Sequence, residues 1–225
     1  MIMNLKKFNN LLELFFNQYE SQNENNIFLS SLKNPIIEFS WKDTKTSVIN
    51  LSIEFKKYIK KGDRCLLISE NRPEWLITDL AIMLANGITV PAYTTYVERD
   101  YEYIINDCTP KIIIVSNKDQ YLKIKNIIKD KSFVKKVFSF EAIEELKKDN
   151  YFEINNFLNK NKISDLNIPT VHLSRKDPAC IIYTSGTQGN PKGVILSHGG
   201  ILNNCEGGCE LIEPFISKQS RFLTW

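Results

Sequence analysis

GDRCLLISENRPEWLITDLAIMLANGITVP, residues Gly62–Pro91, reads as one complete strand–helix–strand unit. Asp63–Ser69 is a short apolar run leading to a break, the pattern of a buried strand. Pro73 suits a first helical turn, where its missing N–H costs nothing. The helix expected over Pro73–Ala85 is apolar on most of its faces, so most of it must be covered. Asn86-Gly87 supplies a stop, and Ile88–Pro91 a second strand.

The same rhythm continues downstream. Glu98–Asp107 reads as a helix with Tyr101, Ile104 and Ile105 on one face, and Lys111–Ser116 (KIIIVS) as a continuous apolar strand. A helix at about Asp119–Lys129 and a strand at Lys136–Phe140 follow. Continuous apolar strands alternating with helices predict an α/β fold: a mainly parallel sheet flanked by helices on both faces. Upstream, Val48, Leu51, Phe55 and Tyr58 mark an amphipathic helix just after Trp41. Leu5, Phe8, Leu12, Phe15/Phe16 and Tyr19 mark another at the start of the chain.

Between Glu141 and Leu166 the chain turns polar, and this stretch is expected as a surface excursion between two parts. Its charges (Glu141, Glu144, Glu145, Lys147, Lys148) read as a solvated face, since nothing apolar encloses them to make an acid–base pair. The expected division is 1–167, a first α/β subdomain, and 168–225, the start of a second. The second holds strands at Ala179–Tyr183 and Gly193–Ser197, a helix at Ile201–Ile212 and a last strand at Arg221–Trp225. An apolar strand at the end of a sequence needs partners, so the chain reads as a fragment cut inside that second subdomain.

Bulk composition excludes several classes. A formal net charge of +3, with Lys and Arg scattered, gives no basic stretch of the kind that tracks nucleic acid. The most apolar run, Leu76–Ala85, contains Asp79 and falls short of the roughly 20 residues a membrane span needs. The first residues lack a small-residue cleavage site after an apolar core, so they read as a helix and not as a signal peptide. Five cysteines without paired spacing suit a reducing compartment, and a cytoplasmic location is expected.

The chemistry is concentrated in Tyr183–Gly193, YTSGTQGNPKG. Its three glycines let backbone amides approach a ligand and form an anion-binding concavity. Thr184, Ser185 and Thr187 add hydroxyls, and Lys192 a point charge suited to phosphate oxygens. This suits holding a triphosphate while its α-phosphorus is attacked and pyrophosphate leaves. The loop is not a Walker A loop: Lys192 precedes Gly193, and a strand instead of a helix follows. Nor does it carry the G-x-G-x-x-G spacing of a kinase loop.

The string YTSGTQGNPKGV followed by LSH resembles the signature loop of the adenylate-forming superfamily, which holds acyl-CoA synthetases, luciferases and peptide-synthetase adenylation domains. Ser69–Asn117 resembles that superfamily's first subdomain, and Asn203–Ile212 (NNCEGGCELI) resembles its long-chain fatty-acyl branch. The resemblance implies the N-terminal part of a long-chain fatty-acid–CoA ligase, using ATP, Mg²⁺ and a fatty acid to form acyl-AMP and then coenzyme A to form acyl-CoA. It implies phosphate-binding roles for Thr184, Ser185, Gly186, Thr187, Gln188, Gly189 and Lys192, with Thr184 and Lys192 nearest the chemistry. Gln188 stands where Thr or Ser is commoner, which puts one hydroxyl contact in question. The family's adenine, ribose and C-terminal-lysine motifs would lie beyond Trp225, so the chain alone is expected not to catalyse adenylation. An adenylating enzyme for an aryl or amino acid, and a short non-catalytic nucleotide-binding or interaction protein, remain open at this point. Peripheral membrane contact is compatible with a fatty-acid substrate, and the oligomeric state is open.

The remaining candidates read structurally. His198 is expected as a hydrogen-bonding structural residue, and His172 has less to recommend it. Cys205 and Cys209, one helical turn apart, are expected as small buried residues, since a zinc site needs further ligands. Trp41 and Trp75 read as core anchors, and Tyr93–Tyr96 as a polar-aromatic bend without a ligand.

Overall fold

The structure is a computed structural model and describes residues 4–32, 35–144, 151–158, 170–184, 191–215, 217, 220 and 222. Its centre is a seven-stranded sheet. In chain order the strands are β3 (Arg64–Ile68), β4 (Ile88–Ala92), β5 (Ile112–Val115), β6 (Lys136–Ser139), β7 (Tyr151–Glu153), β8 (Pro178–Thr184) and β9 (Lys192–Ser197). Across the sheet the order is β7-β6-β5-β3-β4-β8-β9, parallel throughout except for β9, which runs antiparallel to β8. A two-stranded antiparallel ribbon, β1 (Ile27–Ser30) and β2 (Glu38–Ser40), stands apart from it.

Both faces of the central strands are buried, which is why their sequences read as unbroken apolar runs. Cys65 and Leu67 of β3, with Ile112 and Ile114 of β5, face one core. That core is closed by α1 (Leu11–Ser21), α2 (Trp41–Phe55) and α3 (Pro73–Leu84). Leu66 and Ile68, with Ile113 and Val115, face the other core, closed by α4 (Glu98–Cys108) through Tyr101, Ile104 and Ile105. The expected α/β sandwich is therefore present, with the alternation of side chains dividing each strand between two cores.

The helix ends follow local chemistry. Ser40 and Asp43 close a capping box at the start of α2, each side chain accepting the other's backbone N–H at 3.0 Å. At the end of α3, Asn86 takes φ 66°; its N–H donates to Met83 O while Gly87 N–H donates to Ile82 O. This is the Schellman arrangement, and it ends the helix where Asn86-Gly87 predicted. Gly87 is also a close approach: a Cβ there would sit 2.9 Å from Ile59 Cδ1 and Ile82 Cγ2.

Several expectations are corrected. The helix expected over Asp119–Lys129 is two short ones, α5 (Lys118–Leu122) and α6 (Lys125–Ile128), because Ile124 turns in to be fully buried between them. The N-terminal amphipathic pattern is a 3₁₀ turn (Leu5–Lys7) followed by α1, since Asn10 caps Glu13 N–H and restarts the helix. The polar stretch after Glu141 is not wholly an excursion. Residues 151–153 form the edge strand β7, Ile154 is buried just after it, and α7 (Asn155–Leu158) packs against α2 with Leu158 buried and Ser47 Oγ donating to Leu158 O. Glu141 itself pairs with Arg72 at 3.1 Å. The helix expected at Ile201 begins earlier, as α8 (His198–Ile212).

β8 and β9 extend the same sheet from β4, while residues 159–169, where the two parts were expected to divide, lie outside the described residues. The strand expected at Arg221–Trp225 also lies outside them, apart from Phe222. Among the described residues no helix is long and apolar enough to cross a membrane.

Replacing Gly87 by Ala must displace Ile59 or Ile82. We expect the overpacking to cost about 1–3 kcal/mol, read as a lower urea midpoint with an unchanged slope.

Candidate functional site

The loop expected to bind phosphate is carried on a hairpin. β8 and β9 pair in register from Cys180↔Leu196 to Thr184↔Lys192, and the chain between Thr184 and Lys192 is the glycine-bearing loop. Residues 185–190, which include Ser185, Gly186, Thr187, Gln188 and Gly189, lie outside the described residues. The structure therefore describes the two ends of the predicted set, Thr184 and Lys192, as the last ladder pair.

Directly opposed residues of an antiparallel pair project from the same face with Cβ atoms about 5 Å apart. Thr184 and Lys192 thus stand side by side at the mouth of the loop, both exposed. β8 runs parallel to β4, so this mouth opens at the carboxyl edge of the parallel sheet, where open α/β sheets bind their ligands.

The next pair inward, Tyr183↔Gly193, faces the other way, and the Tyr183 ring is buried in the core beneath α4 while Gly193 stays exposed. Tyr183 is 3% exposed, and its phenol donates to Asp107 Oδ2 of α4 at 2.5 Å. Burial, then the bond to Asp107, pushes the phenol well above the ordinary tyrosine range. A Cβ at Gly193 would lie 3.2 Å from Tyr183 Cζ and 3.0 Å from Ile181 Cγ2, so the glycine makes room for the ring. Sequence reading assigned no role to Tyr183 or Asp107. The available signal was Asp107 itself, a carboxylate in the last turn of a helix, where the helix dipole disfavours it.

At the far end of β9, His198 is 1% exposed and its Nδ1 accepts the N–H of Leu11 at 3.4 Å. Its own N–H donates to Asp177 O. The structural reading of His198 holds: it ties the start of α8 to α1. Arg175 reinforces this tie, donating to Phe8 O at 2.6 Å and to Asn203 Oδ1 at 2.6 Å. Cys205 and Cys209 depart from expectation. α8 turns Cys205 outward to solvent and leaves Cys209 only half-buried, because the apolar side of this helix is set by Leu202 against Leu5 and Phe8. Tyr93–Tyr96 is a bend whose carbonyls are held from below: Lys123 Nζ donates to Thr94 O at 2.5 Å and to Tyr96 O. Trp41 stacks on Phe28 at 3.8 Å, and Trp75 packs against the first core.

A loop between paired strands at the carboxyl edge of a mainly parallel sheet is flanked here by an exposed hydroxyl and an exposed ammonium. Comparison with known proteins narrows the class. The profile of the family described as AMP-binding enzyme matches residues 16–225, and the chain belongs to that family, within the adenylate-forming superfamily. The long-chain-fatty-acid–CoA ligase ACSBG2 of Mus musculus is 36% identical over 139 residues, covering 60% of this chain and 21% of the relative. Fatty acyl-CoA synthetase A of Dictyostelium discoideum is 28% identical over 157 residues, covering 66% and 23%. Among solved structures, acetoacetyl-CoA synthetase from Streptomyces lividans superimposes with TM-score 0.75 at 17% identity, over 88% of this chain and 31% of that one. The anthranilate CoA ligase AuaEII, solved with anthranoyl-AMP, gives TM-score 0.71 at 20% identity, over 87% and 36%. These structures share the fold. The chain spans about a fifth of the length of the curated relatives it matches.

Burial lowers the His198 pKa below its ordinary value, so the folded state favours the neutral ring. Its contribution is present above the unfolded pKa of about 6.5 and is lost as pH falls through the lower folded value. Asp79 works oppositely: burial raises its carboxyl to about 6, so stability falls as pH rises through that region. The difference between wild type and His198→Gln isolates the histidine. We expect the urea midpoint of wild type, relative to the variant, to drop between pH 7.5 and pH 5.

Proposed function

We propose that the chain is the ATP-gripping N-terminal part of an AMP-forming acyl-CoA synthetase, and that its acid is a long-chain fatty acid. The observation that carries the reading is the Thr184↔Lys192 pair at the mouth of the family's signature loop, at the carboxyl edge of the sheet. The curated relatives named as long-chain-fatty-acid–CoA ligases support the acid class. In this reading 1–167 is a first subdomain and 168–225 opens a second.

The reaction has two halves. The carboxylate attacks the α-phosphorus of ATP, giving acyl-AMP and pyrophosphate; the thiol of coenzyme A then displaces AMP. This chain's part is in the first half. The amides of Gly186 and Gly189 and the hydroxyls of Ser185 and Thr187 would orient the β- and γ-phosphate oxygens, with the Gln188 amide beside them. Thr184 would add a hydroxyl at the mouth, and the Lys192 ammonium would offset charge growing on departing pyrophosphate. Mg²⁺ is expected with ATP. Among the described residues no group of three or more His, Cys, Asp or Glu side chains could hold a metal ion, so we assign no residue to Mg²⁺ and no step to it.

Calorimetric titration with Mg·ATP tests the reading on this chain. We expect measurable binding, weakened about tenfold or more by Lys192→Ala, the loss a charge-assisted phosphate contact implies. Absence of binding, or an unchanged affinity in the variant, would refute it. Acyl-adenylate formation from ATP and a long-chain fatty acid is expected to be absent with the 225-residue chain alone.

A further inference from the structure

Three observations meet at the loop end of the hairpin. The first is Asp107, in the last turn of α4, where the partial negative charge at a helix C-terminus disfavours a carboxylate. The second is its partner: the buried Tyr183 ring carries its phenol to the edge of the second core, where it donates to Oδ2 of the exposed Asp107 at 2.5 Å. A buried phenol without an acceptor would pay desolvation uncompensated, so the carboxylate answers a need of Tyr183 and not of its own helix. The third is Gly193, whose missing side chain admits the Tyr183 ring across the ladder.

The consequence lies one residue further on. Tyr183 is followed by Thr184, and Gly193 is preceded by Lys192, so β8 is gripped immediately before the pair that opens the loop and β9 is held there through the ladder. β9 has no strand on its outer side among the described residues, and Val194 and Ile195 are exposed. The hairpin end is thus held to the body of the protein through β8's contact with β4 and through the phenol–carboxylate bond to α4. The β4–β8 register pair Thr89↔Cys180 lies four residues back from Thr184, and the two strands run close beside each other. Nearer the mouth the Tyr183–Asp107 bond adds a side-chain tie to α4.

We propose that Asp107 is a positioning residue: acting through Tyr183, it fixes the mouth of the hairpin and so the aim of Thr184 and Lys192 at the phosphates. The inference rests on the nucleotide-binding reading above for its consequence, but the mechanical part stands on geometry alone. Asp107 touches no substrate; a change there reaches the ligand only through the tyrosine and the ladder.

Amide hydrogen exchange at residues 180–184 and 192–196 of this chain reads the mouth, and Mg·ATP titration reads the consequence. Tyr183→Phe removes the donor and keeps the ring, Asp107→Ala removes the acceptor, and Asp107→Asn keeps a carbonyl acceptor. We expect Tyr183→Phe and Asp107→Ala each to speed exchange about tenfold, with the double variant no faster than either, since both delete one bond. Asp107→Asn should restore exchange to within about threefold of wild type, and the Mg·ATP Kd should rise only in the first two. Unchanged exchange in the single variants, additive effects in the double, or failure of Asn to rescue would each overturn the proposal. Should Asp107→Ala fail to fold, Tyr183→Phe and Asp107→Asn still decide it. A wild-type chain that binds no Mg·ATP would refute the nucleotide reading instead, and exchange alone would then judge the latch.

Discussion

The structure depends on β3 being covered on both faces. Its apolar residues divide by alternation, Cys65 and Leu67 to one core, Leu66 and Ile68 to the other, and all four are fully buried. Parallel neighbours cannot be joined by tight turns, so β4 and β5 must each be reached by a crossover, and the crossovers supply the cover. From β3 the chain moves to β4 through α3, then returns across β3 to β5 through α4. With right-handed crossovers, reversing the direction of travel moves the helix to the opposite face. The two cores confirm this, since α3 contributes to one and α4 to the other. One reversal therefore buries the central strand and fixes which helix will lie beneath the later hairpin.

That arrangement explains how a glycine-rich loop can be presented without a helix behind it. In a P-loop the phosphates meet the N-terminus of a helix, and the helix dipole helps to hold them. Here the loop leaves β8 and returns as β9, so under the proposed function the Lys192 charge and the loop's own amides would take the place of a helix dipole. A hairpin end protruding from a sheet is a less rigid mount than a strand–helix junction in the core. The Tyr183 ring over Gly193 and its bond to Asp107 compensate, linking the hairpin to the one helix the earlier reversal placed under it. Gly193, which the sequence presents as one more loop glycine, is accounted for here by packing.

The sequence made the central sheet legible because its strands are continuous apolar runs and its helices carry their own stop signals. Asn86-Gly87 ends α3 by a motif that only a positive φ permits, and such punctuation survives without tertiary information. Where tertiary contacts overrule the local pattern, legibility fails. Ile124 breaks a helix by turning inward, and Tyr151–Glu153 becomes a strand only because β6 offers an edge. The β1–β2 ribbon escaped notice for the same reason: Phe28 is held by stacking on Trp41, a contact that neither segment announces alone. At the site, the residues proposed to meet the ligand were legible because glycine, hydroxyl and lysine are chemically explicit. The residues supporting them were not, since Tyr183 and Asp107 lie 76 positions apart and neither is unusual by itself.

The placement of the two supports has a thermodynamic reason. A glycine-rich loop is costly to order, because glycine loses more backbone freedom than any other residue when it is fixed. Under the proposed function, binding a triphosphate would meet that cost from phosphate contacts, and would meet a larger one if the loop's ends were also free to move. Pairing Thr184 with Lys192, and tying the pair just inside them to α4 through the Tyr183 phenol, confines the ordering cost to the residues between. The ends are then pre-organised. Under the proposed function, that places the fixed support immediately beside the residues that would meet the phosphates.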